Sequence, residues 1–317
     1  MEKDTIGVAG AEAMDAVLRA RPATDVERPT FKPVSGKPVE RRESSALMQA
    51  LGHDVRTALK TPLEDHVDLS GEWPLVGHNY LRDLVFGPDP YRLKVLVDRS
   101  LELTPKLTWT VVATGAALPG RPQPDDPLSS VAGLTANATG YQQRRRALFL
   151  YRRVAGPICF TIAATVTAVL WLGSPFDDDV PNAHLIHEAL RMLPPSWNIL
   201  RRASPEFSEI DSRIGLDDDV LLLPLLSHRD PRLWEAPDEF RPQRWRDLDP
   251  ETHPGYLPFG HSNERCWGRR MVMPLAERLL DLLRRDGYSV DPRQTQATVP
   301  LAGLMEPTGV RVGRHSR

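Results

Sequence analysis

Two segments of the chain carry the strongest pattern of apolar and polar positions. From Met271 to Arg285, apolar residues recur every three or four positions, at Val272, Leu275, Ala276, Leu279, Leu282 and Leu283. This spacing predicts a helix with one buried face. From Val154 to Phe176 no charged residue occurs. Such a run predicts a helix that is apolar on all sides.

The uncharged run has two interpretations. It is long enough to span a bilayer, and arginines precede it while the acidic run 177–179 follows it, as in a membrane segment. It also contains Gly156, Pro157 and several threonines, and only eleven residues separate it from Glu188. We expect a buried helix at the centre of the fold and no membrane segment. Solubility without detergent would distinguish the two.

The remaining elements follow from shorter patterns. Residues 1–45 are rich in charge, Pro and Gly, and they predict a poorly ordered arm ahead of one folded domain, 46–317. A short Ala-rich run at 9–20 is the only helical candidate within that arm. The further predictions are helices at 46–60, 93–103, 128–150 (with breaks) and 181–193, strands at 107–114 and 221–226 (the latter at a sheet edge because of Pro224), and short strands in 299–312.

Composition excludes several classes of protein. The 317 residues carry a formal net charge of −2, and the isoelectric point is about 6.5, so nucleic-acid binding gains no support. Cys159 and Cys266 are the only cysteines, too few for a disulfide framework and typical of a reducing compartment. Residues 1–30 hold no apolar signal-peptide core. We therefore expect a cytoplasmic protein.

Cys266 is the residue with the clearest candidate chemistry. It lies at the end of a Gly-, Ser- and Asn-containing stretch and just before the amphipathic run at 271–285. The positive end of that helix and nearby amides are expected to favour a thiolate, which is a metal ligand or a nucleophile. The Cys-X-X-Cys pairs typical of zinc sites do not occur in the sequence. One thiolate suffices for iron when a porphyrin supplies four ligands. A buried structural cysteine is the alternative.

The motif around Cys266 resembles the haem-ligand loop of cytochromes P450. Phe259, Gly260, Cys266 and Gly268 stand at the positions of that loop, within the segment PFGHSNERCWG at 258–268. Two further segments match in order. The helical EALR at 188–191 resembles the family's E-x-x-R motif, and FRPQRW at 240–245, after HRDP at 228–231, resembles the segment that supplies a third partner. Cys266 follows Glu188 by 78 positions, which suits the family.

The resemblance implies a fold and a cofactor. The fold would be mainly α with small β elements, P450-like and shortened in its N-terminal half, because the match runs from about residue 154 to the C-terminus. The cofactor would be haem b, with Cys266 as its axial thiolate. Glu188, Arg191 and Arg244 would form a buried charge network; an ordinary surface pair of Glu188 with Arg191 is the alternative.

The resemblance also assigns residues to the edge of the haem. Arg201 lies where the family has a propionate-binding arginine, and a solvated arginine is the alternative. Ser262 and Glu264 depart from the family's loop, which has Gly and a basic residue at these positions; we expect the neighbouring Arg265 to take over the propionate contact. Phe259, Gly260 and Gly268 would shape the cradle. His228 would meet a propionate or a carbonyl, unless it only satisfies its own loop.

Function follows from the same resemblance. It implies a monooxygenase or peroxygenase that acts on a small organic or secondary-metabolite substrate, with a ferredoxin-type reductase or hydrogen peroxide as oxidant source. Family members carry an acid followed by Thr in the long helix above the haem; here Thr165 is the candidate, but Ala164 precedes it. A catalytically silent P450-like protein that stabilises another enzyme, or assembles with itself, is the alternative.

Overall fold

Helices make up most of the part of the chain that the structure describes. This computed structural model describes residues 4–19, 41–87, 93–97, 105–118, 129–202, 206–215, 218–260, 265–301 and 303–314. The helices are α1 (Ala11–Arg19), α2 (Arg41–Lys60), α3 (Leu75–Phe86), α4 (Pro105–Ala117), α5 (Ser130–Ala136), α6 (Tyr141–Gly173), α7 (Asn182–Met192), α8 (Phe207–Ile210), α9 (Pro224–His228) and α10 (Arg269–Arg285). Short 3₁₀ helices occupy Leu93–Val97 and Pro242–Arg246.

Helix α6 is the centre of the fold. Helices α2, α3, α4, α5, α7 and α10 all contact it, and α2 also contacts α3 and α10. Its residues between Val154 and Leu170 are almost all buried, including Ile162 and Val169 at full burial. By length and composition α6 qualifies as a membrane span, yet 83% of its most apolar window is buried inside the protein. The expectation of a buried central helix is confirmed.

The hydroxyl groups of three threonines inside α6 are satisfied by the helix itself. Pro157 interrupts the backbone hydrogen bonds because it has no N–H, but the helix continues through it. The hydroxyls of Thr161, Thr165 and Thr167 each donate to the carbonyl four residues earlier. Threonine can therefore be buried in this apolar helix without an unsatisfied donor.

Helix α10 follows the cysteine loop and packs against α2, α6 and α7. Its apolar stripe is buried as the spacing predicts, with Leu275, Ala276, Leu279, Leu282 and Leu283 at full burial. The helix begins at Arg269, two residues earlier than predicted, and Pro274 lies inside it. Because Pro274 has no N–H, the helix forgoes one backbone hydrogen bond, to the Arg270 carbonyl, and continues through it.

Two three-stranded sheets flank the helices. The first has the order β1 (Thr5–Val8), β4 (Asp219–Leu222), β3 (Ile199–Arg202), with β1 parallel and β3 antiparallel to β4. The second has the order β2 (Gly71–Trp73), β6 (Val310–Arg314), β5 (Tyr288–Val290), all antiparallel. The prediction of a mainly α fold with small β elements is confirmed.

The N-terminal residues differ from the predicted poorly ordered arm. Thr5 pairs with Asp219 and Val8 with Leu222, so β1 belongs to the first sheet. The Ala-rich run forms α1, whose Met14 and Val17 are buried in a small second core with Phe207 of α8. The prediction is therefore wrong for residues 5–19, because a distant strand supplies the apolar partner that the local sequence lacks. Residues 20–40 lie outside the described part.

Two strand predictions are also corrected. Residues 107–114 lie in helix α4, whose Thr108, Val112 and Ala116 are buried on one face against α6. Packing at a spacing of four overrides the β propensity of this segment. The strand expected at 221–226, at an edge, ends at Leu222 and lies between two partners. Pro224 begins helix α9 instead, where its missing N–H costs nothing.

The remaining predicted elements are found with changed bounds. Helix α2 extends the prediction at 46–60 toward the N-terminus, and α5 with the start of α6 accounts for the broken helix at 128–150. The prediction at 93–103 is met only by the 3₁₀ helix Leu93–Val97, and residues 98–103 lie outside the described part. Residues 299–312 contribute a bridge between Thr298 and Thr308 and the start of β6.

Candidate functional site

The loop that carries Cys266 closes on itself through backbone hydrogen bonds. The Cys266 amide donates to the Phe259 carbonyl at 2.7 Å, and the Gly260 amide donates to the Leu257 carbonyl at 3.3 Å. Gly260 has a φ of 74°, which glycine adopts without strain. Residues 261–264, which include the predicted departures Ser262 and Glu264, lie outside the described part. The bond from Cys266 to Phe259 therefore joins the two described ends of the loop.

Cys266 is accessible, whereas Cys159 is buried in the core. The backbone amides of Gly268 and Arg269 donate toward the Cys266 sulfur. The protein around the sulfur removes part of its water and raises the pKa of the Cys266 thiol, while those amides and the Arg269 charge act in the opposite direction. The amides expected to favour the thiolate are present, but the loss of water around the sulfur outweighs them. A cation bound at the sulfur would be needed to hold the deprotonated form.

The donor set fits haem iron better than a metal held by protein ligands alone. Among the described residues no group of three His, Cys, Asp or Glu side chains could hold a metal ion. Cys266 offers one thiol at an exposed position, with two amides directed at its sulfur. A porphyrin brings its own four nitrogen ligands and needs only such an axial donor from the protein.

Glu188, Arg191 and Arg244 meet in one buried network beneath the loop. Glu188 and Arg191 are fully buried and form a two-point ion pair, at 2.8 Å from Nη2 to Oε1 and 3.1 Å from Nε to Oε2. The Arg244 Nε lies 3.1 Å from the same Glu188 Oε1. All three predicted partners are thus brought together, and the alternative of a surface pair does not apply.

Two members of the network were not assigned from the sequence. The indole N–H of Trp245 donates to Glu188 at 2.9 Å, and the amide of Arg241 donates to it at 2.9 Å. Arg191 also donates hydrogen bonds to the carbonyls of His228, Pro237 and Glu239. A buried Trp needs an acceptor for its N–H. The position of Trp245 next to Arg244 was therefore the sequence signal for its membership of this network. Every charge in the network is paired, as burial requires.

His228 is hydrogen-bonded to the segment that leads into the cysteine loop. Its ring is fully buried, and its Nε2 accepts the Leu257 amide at 2.8 Å. Burial, reinforced by the charge of Arg191, lowers the pKa of His228 to about 3, so the ring is neutral. The hydrogen bond to the loop is the alternative that the structure shows for His228, and the propionate contact stays a prediction.

The other predicted residues stay predictions. Thr165 is buried in α6, where its hydroxyl proton is directed to the Thr161 carbonyl at 2.8 Å. The backbone of Arg201 lies in β3, but its side chain lies outside the described part. Arg265 is partly exposed and lies 2.8 Å from Glu251. A side chain added at Gly268 would approach the Cys266 sulfur to 3.7 Å, an ordinary contact.

An open pocket lies next to the loop. It is lined by the segment 250–260 together with His187 of α7, Arg265 and Arg269. The His187 Nδ1 lies 2.9 Å from the Tyr256 hydroxyl. Burial, with the nearby His184, lowers the pKa of His187 to about 4, and Glu251 opposes this only weakly. His187 is therefore a neutral side chain that lines this pocket, beside the segment that leads to Cys266.

A second charged anchor, Arg278 of α10, was missed. It shares the buried face with Leu275, Leu279 and Leu282 and is only 6% exposed. Its guanidinium donates to the carbonyls of Thr61 and Pro62, at 2.7 Å each, and to Glu64. An arginine inside an apolar stripe was the signal that the sequence offered.

Comparison with known proteins places these features in a family context. Residues 183–295 match the sequence model of the cytochrome P450 family. Over 112 residues the chain is 38% identical to cyclooctatin synthase of Streptomyces melanosporofaciens, and over 86 residues it is 40% identical to fusicoccadiene C-8 hydroxylase of Phomopsis amygdali. These matches cover 33% and 26% of this chain, and 24% and 16% of the relatives. The chain thus matches a quarter or less of the length of these curated relatives.

The structural likeness is wider than the sequence likeness. CYP175A1 from Thermus thermophillus superposes with a TM-score of 0.58 at 17% identity, covering 97% of this chain and 89% of that one. A structure described among unusual cytochrome P450-like monooxygenases of microbial secondary metabolism gives 0.60 at 15% identity, covering 96% and 91%. At such identities the likeness shows a shared fold.

Proposed function

We propose a haem-thiolate oxidoreductase activity for this protein, which is cytochrome P450-like in the sequence of residues 183–295 and in its fold. The observation that carries the proposal is the exposed position of Cys266, with the amides of Gly268 and Arg269 directed at its sulfur. The loop that presents this sulfur is tied to the buried network of Glu188 and Arg191. A merely structural cysteine would need neither the exposure nor the amides.

Each proposed residue has a task in holding the cofactor. Cys266 would be the axial ligand of haem b, and Arg201 and Arg265 would neutralise the propionates. Phe259 and Gly260 would set the shape of the loop. When bound, the haem supplies iron whose thiolate ligation favours O–O bond cleavage. Glu188, Arg191 and Arg244 have no part in the chemistry in this proposal, since they are buried and fully paired.

The proposed substrate is a small organic molecule of the secondary-metabolite class. The names of two relatives, cyclooctatin synthase and fusicoccadiene C-8 hydroxylase, support this class for them, and we extend it to this chain as a proposal. Either a ferredoxin-type reductase or hydrogen peroxide would supply the oxidising equivalents. We favour peroxide, because residues 154–173 contain no acid to deliver protons and the Thr165 hydroxyl is directed at Thr161. The proposed location is the cytoplasm.

The carbon monoxide complex of the reduced protein tests the proposal. We expect the red-shifted Soret band of thiolate ligation in the parent and in Cys159→Ser, the matched control, and its loss in Cys266→Ser. Cys159 is the appropriate control because it is buried, and burial raises its pKa, so its sulfur stays protonated. Protein saturated with haem that lacks the band would overturn the assignment of Cys266.

The second candidate is a catalytically silent P450-like protein that stabilises another enzyme or a second copy of itself. Glu264, which replaces a basic residue of the family's loop, and the raised pKa of the Cys266 thiol favour it. Haem content after expression with a haem precursor separates the two candidates: one haem per chain supports the oxidoreductase, and none supports the silent partner.

A further inference from the structure

His228 lies between the buried charge network and the loop that carries Cys266. Its carbonyl accepts a hydrogen bond from Arg191 Nη1 at 3.0 Å, and its ring Nε2 accepts the Leu257 amide at 2.8 Å. Leu257 is itself buried in the small second core. One residue therefore contacts the network with its backbone and the loop with its side chain.

The connection continues to the cysteine through backbone bonds. Leu257 precedes Phe259 by two residues, and the Phe259 carbonyl accepts the Cys266 amide at 2.7 Å. The Leu257 carbonyl also accepts the Gly260 amide at 3.3 Å, at the turn where φ is positive. Hydrogen bonds thus link the Arg191 guanidinium to Cys266 by way of His228, Leu257 and Phe259.

Burying the His228 ring has an energetic cost, which the hydrogen bond from the Leu257 amide offsets. Because Nε2 accepts, the ring proton lies on Nδ1, and Nδ1 has no partner among the described residues. A buried donor without a partner destabilises the folded protein. An apolar side chain would avoid this cost but would leave the Leu257 amide without an acceptor. Histidine at this position is therefore explained by the loop it holds.

We infer that His228 is a positioning residue, which sets the place and direction at which the Leu257–Phe259 segment enters the cysteine loop. The functional consequence of this inference rests on the proposed function, since a displaced loop would also displace the axial sulfur. The test of the inference does not depend on the proposed function, because the loop can be observed in the protein without haem.

The test compares side chains that differ in reach. The amide oxygen of Gln can occupy the place of Nε2 and accept the Leu257 amide, whereas Asn is too short and Leu has no acceptor. The readouts are amide hydrogen exchange at Leu257 and Cys266 and the alkylation rate of Cys266 in a Cys159→Ser background. We expect about tenfold faster exchange and alkylation in His228→Asn and His228→Leu, because one buried hydrogen bond is lost, and near-parental rates in His228→Gln.

The comparison stays decisive if His228→Leu does not fold, since Asn and Gln are both polar and differ only in length. Equal rates for Asn and Gln, or parental exchange at Leu257 in His228→Asn, would overturn the inference. In haem-loaded protein, Asn should also lower the fraction of thiolate-type carbonyl complex while Gln restores it. A parent protein that takes up no haem but follows the exchange pattern would defeat the proposed function and leave the positioning role intact.

Discussion

The Nε of Arg278 on α10 lies 3.0 Å from the phenol oxygen of Tyr80 on α3. Tyr80 in turn donates to Glu64 at 3.0 Å, and burial raises the pKa of Tyr80 to about 12, so the phenol stays neutral. The same guanidinium reaches the carbonyls of Thr61 and Pro62, just past the end of α2. One arginine thus joins the helix that follows the cysteine loop to α3 and to the end of α2, two helices of the N-terminal half.

We expect Arg278→Met to lower the free energy of unfolding by about 2–4 kcal/mol, because the charge-assisted hydrogen bonds of a guanidinium that is only 6% exposed are lost. Urea unfolding measures the effect. Arg293→Met is the matched control: Arg293 pairs with Asp291 at the surface, its side chain is 89% exposed, and the expected change is about 0–1 kcal/mol. Equal effects of the two changes would mean that the Arg278 contacts contribute nothing specific.

Glu188→Gln should destabilise the protein by roughly 3–5 kcal/mol, since it leaves the fully buried Arg191 without its counter-charge. The change keeps the shape of the side chain, so packing is conserved. Arg213→Ala removes one partner of an exposed pair with Asp211 and serves as the control with little expected effect. A parental unfolding midpoint in Glu188→Gln would contradict the role of the network.

Stability is expected to fall as the pH drops from about 6.5 toward 4. The pKa values of His187 and His228 are lowered to about 4 and about 3, mainly by burial. Below about pH 6.5 the unfolded chain therefore binds protons at these two residues that the folded protein does not bind. Stability from these groups is complete above the unfolded pKa and is lost toward the folded pKa, at up to about 1.4 kcal/mol per pH unit for each group. Urea midpoints between pH 7.5 and 5 measure the slope.

The pH slope should become shallower in His187→Gln, because one of the two proton-linked groups is removed. His66→Gln, at an exposed position, is the control and should keep the parental slope. Parallel slopes for the parent and His187→Gln would contradict the lowered pKa of His187.

Arg265→Ala should speed haem loss by about fivefold, the equivalent of about 1 kcal/mol for one partly exposed charged contact. Arg265 pairs with Glu251, whose side chain is 69% exposed, and such a surface pair is exchanged for a propionate at little cost. Haem transfer to an acceptor apoprotein measures the rate. Glu251→Gln is the control, with loss no faster than in the parent. Identical rates in Arg265→Ala and the parent would leave Arg265 without a role at the haem.

Hydrogen peroxide is expected to support turnover at least as well as a ferredoxin-type reductase with NADPH. Peroxide carries both oxygen atoms and both electrons, so it bypasses the proton-coupled reduction for which residues 154–173 offer no acid. Product formation from one accepted substrate under the two oxidant systems makes the comparison. Tight coupling of NADPH to product, with peroxide inactive, would show that a proton relay exists elsewhere in the protein.

The sequence by itself determined the elements whose information is local. The spacing of apolar residues in 271–285 and the uncharged run from Val154 specify two helices, since a 3.6-residue period or a fully apolar stretch can be read within a few turns. The same holds for Glu188 and Arg191, which share a helix face at a separation of three. The prediction of Cys266 as an iron ligand likewise came from its own segment, and it stays a prediction.

Only the tertiary structure decided which groups meet across the chain. Arg278 donates to the carbonyl of Thr61, 217 positions away, and β1 pairs with the strand that begins at Asp219. Residues 107–114 prefer strands locally, yet α6 offers a surface against which only a helix buries Thr108, Val112 and Ala116 together. For His228, burial and the Leu257 amide set its role. Long-range burial selects among locally allowed states, and no local pattern contains the partner's position.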